Sequence, residues 1–132
     1  MRHEERNEKI ESYSFAFNYD LERIIMISQN ITIEEYAFLG CKKLKDIYFI
    51  GRNMTVDSTS FEKCHELEKI KVTEEYSKEN ENELNGIEIN KELLVIGKCG
   101  ELCEYVIDKE TNQMIIYGNG NIDSFETINN EI

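Results

Sequence analysis

The 132-residue chain contains no proline, and no apolar run in it approaches the roughly 18 to 20 residues that a membrane-crossing helix requires. No membrane span is therefore expected. Its first fifteen residues, MRHEERNEKIESYSF, are interrupted by acidic side chains and lack the apolar stretch of about 7 to 15 residues found in a secretory signal. Taken alone, this predicts a cytoplasmic protein. Positive charge is scarce: 15 Lys and Arg face 27 Asp and Glu, a formal net charge of −12. The deficit is uneven. Up to Thr73 there are 11 basic and 13 acidic residues; beyond it there are 4 against 14. A C-terminal part so acidic repels a phosphate backbone, so nucleic acid is not an expected partner.

What the chain does have is a repeat. Phe15, Phe38 and Phe61 stand 23 residues apart, as do Ile10, Ile33 and Val56, then Leu21, Leu44 and Leu67, then Ile24, Ile47 and Ile70, and finally Met26, Phe49 and Val72. The later half of each copy, such as Leu44-Lys-Asp-Ile47-Tyr-Phe49, places two apolar residues two apart and suits one face of a short strand. The earlier half, Ile33-Glu-Glu-Tyr-Ala-Phe38-Leu-Gly-Cys41, is too short for a full helix and reads as a turn or a single helical turn. A strand and a turn at this period indicate a leucine-rich repeat solenoid, whose coils bury their apolar sides only by stacking.

Ile33-Glu-Glu-Tyr-Ala-Phe-Leu-Gly-Cys-Lys-Lys-Leu-Lys-Asp-Ile47 and Val56-Asp-Ser-Thr-Ser-Phe-Glu-Lys-Cys-His-Glu-Leu-Glu-Lys-Ile70 resemble the BspA-like leucine-rich repeats of surface antigens from anaerobic bacteria and protists. The resemblance covers residues 10 to 73 and lies in the combination Ala/Ser-Phe-x-x-Cys-x-x-Leu-x-x-Ile. The first copy departs from it, with Asn18 and Tyr19 where the later copies carry Gly or Lys and then Cys. Such repeats commonly place proline after the strand, where this chain has Ile27, Ile50 and Thr73. The resemblance implies a surface antigen or adhesin relative and a cell-surface location, in tension with the missing signal.

The expected architecture is a short, right-handed leucine-rich repeat solenoid of parallel β-strands with helical turns in 23-residue repeats, followed by a small C-terminal β-hairpin unit. The expected segments are a polar tail at 1–9, three repeats at 10–73, an acidic loop at 74–86 and a β-rich unit at 87–132. Glu92 to Gly97 reads as a strand of a degenerate fourth coil. Glu104 to Asp108 and Gln113 to Gly120 flank a polar turn and read as a hairpin. The Gly-x-Cys-Gly to Gly-x-Gly span from Gly97 to Gly120 also resembles a segment that accompanies BspA-like repeats. Because few residues follow it, a truncated repeat remnant without independent activity is one alternative.

Residues able to carry chemistry are few. Cys41 and Cys64 share a column, so stacking brings them close; a small thiol at a tight corner is the plain account, and a disulfide or part of a metal site is the other. Cys99 and Cys103 have a spacing usable for a zinc or thiol site, although only Cys41, Cys64, His65 and His3 remain to complete four ligands. Four cysteines in a cytoplasmic chain are expected to be thiols. Cys64 and His65 are adjacent, which points their side chains apart and argues against a cysteine hydrolase. Gly118-Asn-Gly120 precedes no helix that would hold a phosphate. Two glycosylation sequons, at Asn30 and Asn53, fall in one column and are accounted for by the repeat. No enzyme activity and no cofactor are expected.

The strand face remains. Between the buried positions lie Arg23, Asp46 and Lys69 in one column, Ile25, Tyr48 and Lys71 in the next, and Ile27, Ile50 and Thr73 beyond. An apolar patch rimmed by charge marks a protein contact, which predicts a protein partner bound by Arg23, Ile25, Ile27, Asp46, Tyr48, Ile50, Lys69 and Lys71. The other reading is that a cap or second chain covers the isoleucine columns. Three coils also leave two solenoid ends, so capping or self-association is expected.

Overall fold

The computed structural model describes residues 7–78 and 80–118. Each coil contributes two short parallel strands. One sheet contains β1 (Asn7–Ile10), β3 (Asn30–Ile33) and β5 (Asn53–Val56) in that spatial order. The other is built on β2 (Arg23–Ile27), β4 (Asp46–Ile50), β6 (Lys69–Val72), β8 (Ile87–Asn90) and, reversed at its edge, β7 (Glu83–Leu84). Ile24, Ile47 and Ile70 lie side by side across this sheet, as the 23-residue period requires. The sequence period is thus the physical register of the solenoid.

Between the strands, the turn halves form no helix among the described residues. Ala37, Leu39 and Cys41 each donate to the carbonyl three residues earlier, but Tyr36 and Gly40 adopt φ of 56° and 73°, which prevents the run from continuing as a helix. The expected helical turns are therefore chains of tight turns. Their outward amides bond the next coil instead: Phe15 to Ala37, Phe38 to Ser60 and Gly40 to Glu62, each at 2.8 Å.

The core is columnar. Phe15, Phe38 and Phe61 stack with ring centroids 5.1 and 5.3 Å apart and nearly parallel planes. Ile33, Leu44, Ile47, Phe49 and Ile70 are fully buried around them. The Cys41 thiol donates to the Phe15 carbonyl and the Cys64 thiol to the Phe38 carbonyl, each at 3.1 Å. Both thiols are buried and free. Their column supplies a small donor that satisfies a carbonyl of the preceding coil.

The fourth coil is shorter than the others. Ile70 pairs with Ile89, a step of 19 residues, so the strand that continues the array is Ile87–Asn90. The stretch expected to do so, Glu92 to Gly97, instead opens a separate antiparallel sheet of β9 (Leu94–Gly100), β10 (Cys103–Asp108) and β11 (Gln113–Gly118), in the order β11-β10-β9. The hairpin expected from Glu104 onward is present as β10 and β11. Asn119 and Gly120, which complete the Gly-x-Gly segment, lie outside the described residues.

Candidate interaction face

The outward face of the strand sheet is partly covered, because the C-terminal sheet lies on it. Leu94 and Val106, with Ile96, Ile115 and Tyr117 beside them, form a second apolar core with Tyr48 and Ile50. Alternation along β4 explains the division: Ile47 and Phe49 point into the solenoid core, and Tyr48 and Ile50 point outward beneath the cap. Tyr48 is only 1% exposed, and Lys71 beside it is fully buried.

A buried polar cluster joins the cap to the coils. Asp108, at the end of β10, accepts from the Tyr48 hydroxyl and from Lys71 Nζ, the latter at 2.7 Å. Its other oxygen accepts the Glu110 amide at 2.9 Å. Glu110 then bridges two coil lysines, with Lys69 and Lys71 each 2.8 Å from one of its oxygens. Burial pushes the Asp108 carboxyl up, but the Lys71 and Tyr48 donors outweigh it and hold the group below the usual carboxylate range. Burial likewise pulls Lys71 down, and its bonds to Asp108 and Glu110 more than restore it. The result is a paired charge with its hydrogen bonds satisfied, the condition under which burial of ions is tolerated.

The eight residues expected to bind a partner therefore divide. Tyr48, Ile50 and Lys71 are not available on the surface, since the cap occupies their face; exposure of these three is corrected on that ground. Lys69 is held by Glu110. Arg23, Ile25 and Ile27 stay open at the uncovered edge of the sheet, Ile25 and Ile27 being 42% and 45% exposed. Arg23 lies 3.7 Å from Asp46 and places its guanidinium 5.6 Å from the centre of the Tyr48 ring. The open part is a two-isoleucine strip with one ion pair at its end.

The cysteine pair is also corrected. Cys99 and Cys103 are joined by a disulfide across the β9–β10 connection, where the pairing register shifts between Cys103 and Glu104. Their sulfurs are thus not available as thiolate ligands, so the zinc or thiol-site alternative loses its donors. Among the described residues no group of three or more His, Cys, Asp or Glu is arranged to hold a metal. Among the same residues no helix is long and apolar enough to cross a membrane. The sequon asparagines form a ladder: Asn53 Nδ2 donates to Asn30 Oδ1 at 2.7 Å, and Ser77 Oγ donates to Asn53 Oδ1 at 2.5 Å.

Sequence reasoning missed Asp108 and Glu110. Nothing distinguishes them locally from the other carboxylates of an acidic segment. The one available signal is across the array, where Lys71 places a charge in the column that begins with Ile25 and Tyr48; such a charge, if covered, calls for a carboxylate from elsewhere.

Stacked coils with one shared core and no deep catalytic cleft of convergent groups define a repeat solenoid of the protein-interaction class. The BspA type leucine rich repeat region matches residues 8–129 in six copies, and the chain belongs to that family. Leucine-rich repeats of this kind are typically interaction modules without enzyme activity. No curated protein and no solved structure matches the chain.

Proposed function

We propose that this chain is a non-enzymatic adhesin-type or surface-antigen-type module that binds a protein through the uncovered part of its strand face. The observation that carries this reading is the contrast within one face. Tyr48 and Ile50 are covered by the cap, whereas Ile25 and Ile27, their partners in register, are left open. An apolar strip ending at a solvent-accessible ion pair, Arg23 with Asp46, suits a protein partner better than a small molecule. The Cys99–Cys103 disulfide supports a setting outside the reducing cytoplasm.

The test is a comparison of two proteins. Wild type and Ile25→Asp/Ile27→Asp are each immobilised and offered surface proteins of the source cell. Loss of a specific partner in the variant, with an unchanged thermal melt, supports the reading. Equal capture by both sinks it.

A further inference from the structure

We propose that the N-terminal end of the array docks a second copy of this chain, end face to end face, and that assembly stops at two. This surface is the stacking end of the first coil, and the proposal stands or falls independently of the strand-face partner.

Among the described residues, nine large apolar side chains are exposed, and six of them belong to the first coil: Tyr13, Phe15, Phe17, Tyr19, Ile25 and Ile27. The four aromatics are half-used stacking platforms. Tyr13 lies on Tyr36 with centroids 5.2 Å apart, Phe15 lies on Phe38 at 5.1 Å, and Phe17 rests against Gly40. Tyr19 receives Lys42 Nζ at 4.7 Å from its ring centre. In the interior coils the second face of the stacked Phe38 is covered by Phe61. At the first coil the equivalent faces are open.

Backbone conformation adds a separate observation. Tyr13 and Phe17 both have φ of 62°, a region glycine enters freely and a bulky side chain does not. In the coil below, the position equivalent to Phe17 is Gly40, with φ of 73°. The first coil thus places aromatic rings at strained positions where they are 55% and 54% exposed. Strain held at exposed bulky residues returns little to the fold and points to use outside the chain.

The occupant follows from the other end. There β7 runs antiparallel to β8 and closes the strand sheet, and Phe61 is buried. The chain therefore lacks a second open end on which a head-to-tail stack could grow. Contact between like ends is self-complementary and closes at two copies. Charge agrees: of the residues after Thr73, 14 are acidic and 4 basic, and the described strands among them lie at or beyond the far end of the array, so like-end docking keeps the two acidic parts apart. With each aromatic side chain offering roughly 150–250 Å², half-open rings leave on the order of 300–500 Å², a large share of the roughly 800 Å² per partner in a standard interface.

Sedimentation of the full chain over a concentration series tests this. The expected result is a mass that rises to two copies and no further. The variant Tyr13→Asn/Phe17→Gly replaces both strained residues by types that accept positive φ, and it is expected to remain folded with a single-copy mass at concentrations where wild type is dimeric. A wild-type mass of one copy throughout, growth beyond two, or a dimer unchanged in the variant overturns the proposal. Should the variant not fold, a short bismaleimide decides: Ser14→Cys is expected to cross-link between copies and Lys109→Cys is not, and the opposite pattern overturns it.

Discussion

The Tyr48 hydroxyl donates to the carboxylate of Asp108, sixty residues further along the chain, and both groups are buried. A phenol from the second coil and a carboxylate from the cap thus share one site with Lys71 of the third coil. Covering a solenoid strand face normally needs only apolar contact; here the contact contains an ion pair with no access to water. That makes the docking of the cap specific in position.

Removing one partner of this pair should be more damaging than removing both. Lys71→Met leaves Asp108 charged and uncompensated, at an expected cost of about 3–5 kcal/mol. Lys71→Met/Asp108→Leu should recover most of that loss. Urea unfolding of the two single variants and the double variant gives the coupling directly; strict additivity would show that the two side chains do not meet.

Acid should weaken the docking. The Asp108 carboxyl is held below its ordinary value of 3.8 in the folded chain, so its contribution is fully present above that value and is lost as pH falls through the lower folded one. Lys71 is raised above its ordinary 10.5, so its contribution is present below that pH and disappears only as strongly alkaline conditions carry the pH through the raised value. The urea midpoint of wild type is expected to drop between pH 5 and pH 2.5, and to drop less in Lys71→Met/Asp108→Leu. Equal drops in the two proteins would remove the pair from the account.

Thiol counting separates the four cysteines. Denatured but unreduced protein should take up maleimide at Cys41 and Cys64 alone, and reduction should raise the count to four. In the folded chain Cys64 should react slowly, since burial pushes its thiol up to about 11 and little thiolate is present near neutrality. Four labelled sites without reductant would show that Cys99 and Cys103 are not bonded.

Truncating the central ring of the phenylalanine stack tests the columnar core. Phe38→Ala removes a fully buried side chain with rings on both faces, for which about 3–5 kcal/mol is expected. Phe15→Ala, whose ring is open on one side, should cost clearly less. Thermal melts of both variants measure the difference; equal losses would mean that stacking does not extend through the array.

The solenoid was legible because its determinant is periodic. Five apolar columns with a 23-residue spacing state the register in one dimension, and the strands pair at that register. The strand pair Asn30–Ile33 and Asn53–Val56 was less visible. Its columns are marked by asparagine, and the ladder between Asn30 and Asn53 is a contact across coils. The cap was legible as a hairpin but not as a cover. Whether Tyr48 faces solvent or Val106 depends on a contact between segments with no shared period, and alternation along β4 is the same in either case. The disulfide was hidden for a related reason: Cys-Gly-Glu-Leu-Cys fits zinc, redox or structural use equally, and only the β9–β10 connection brings the sulfurs together.

A solenoid ordinarily tolerates gain or loss of whole coils, since each coil meets only its neighbours. The cap removes that freedom on one side. Asp108 must reach Tyr48 and Lys71 in adjacent coils while Glu110 reaches Lys69, and all four depend on the short step from Ile70 to Ile89 that brings the chain round to β9. A 23-residue coil inserted after Val72 would set a new set of side chains beneath the carboxylate and leave Lys71 unanswered. Insertion ahead of Asn7 disturbs none of these contacts. In evolutionary terms the array has a fixed foot and a free head, so change in coil number is expected from the end that carries the aromatic platforms.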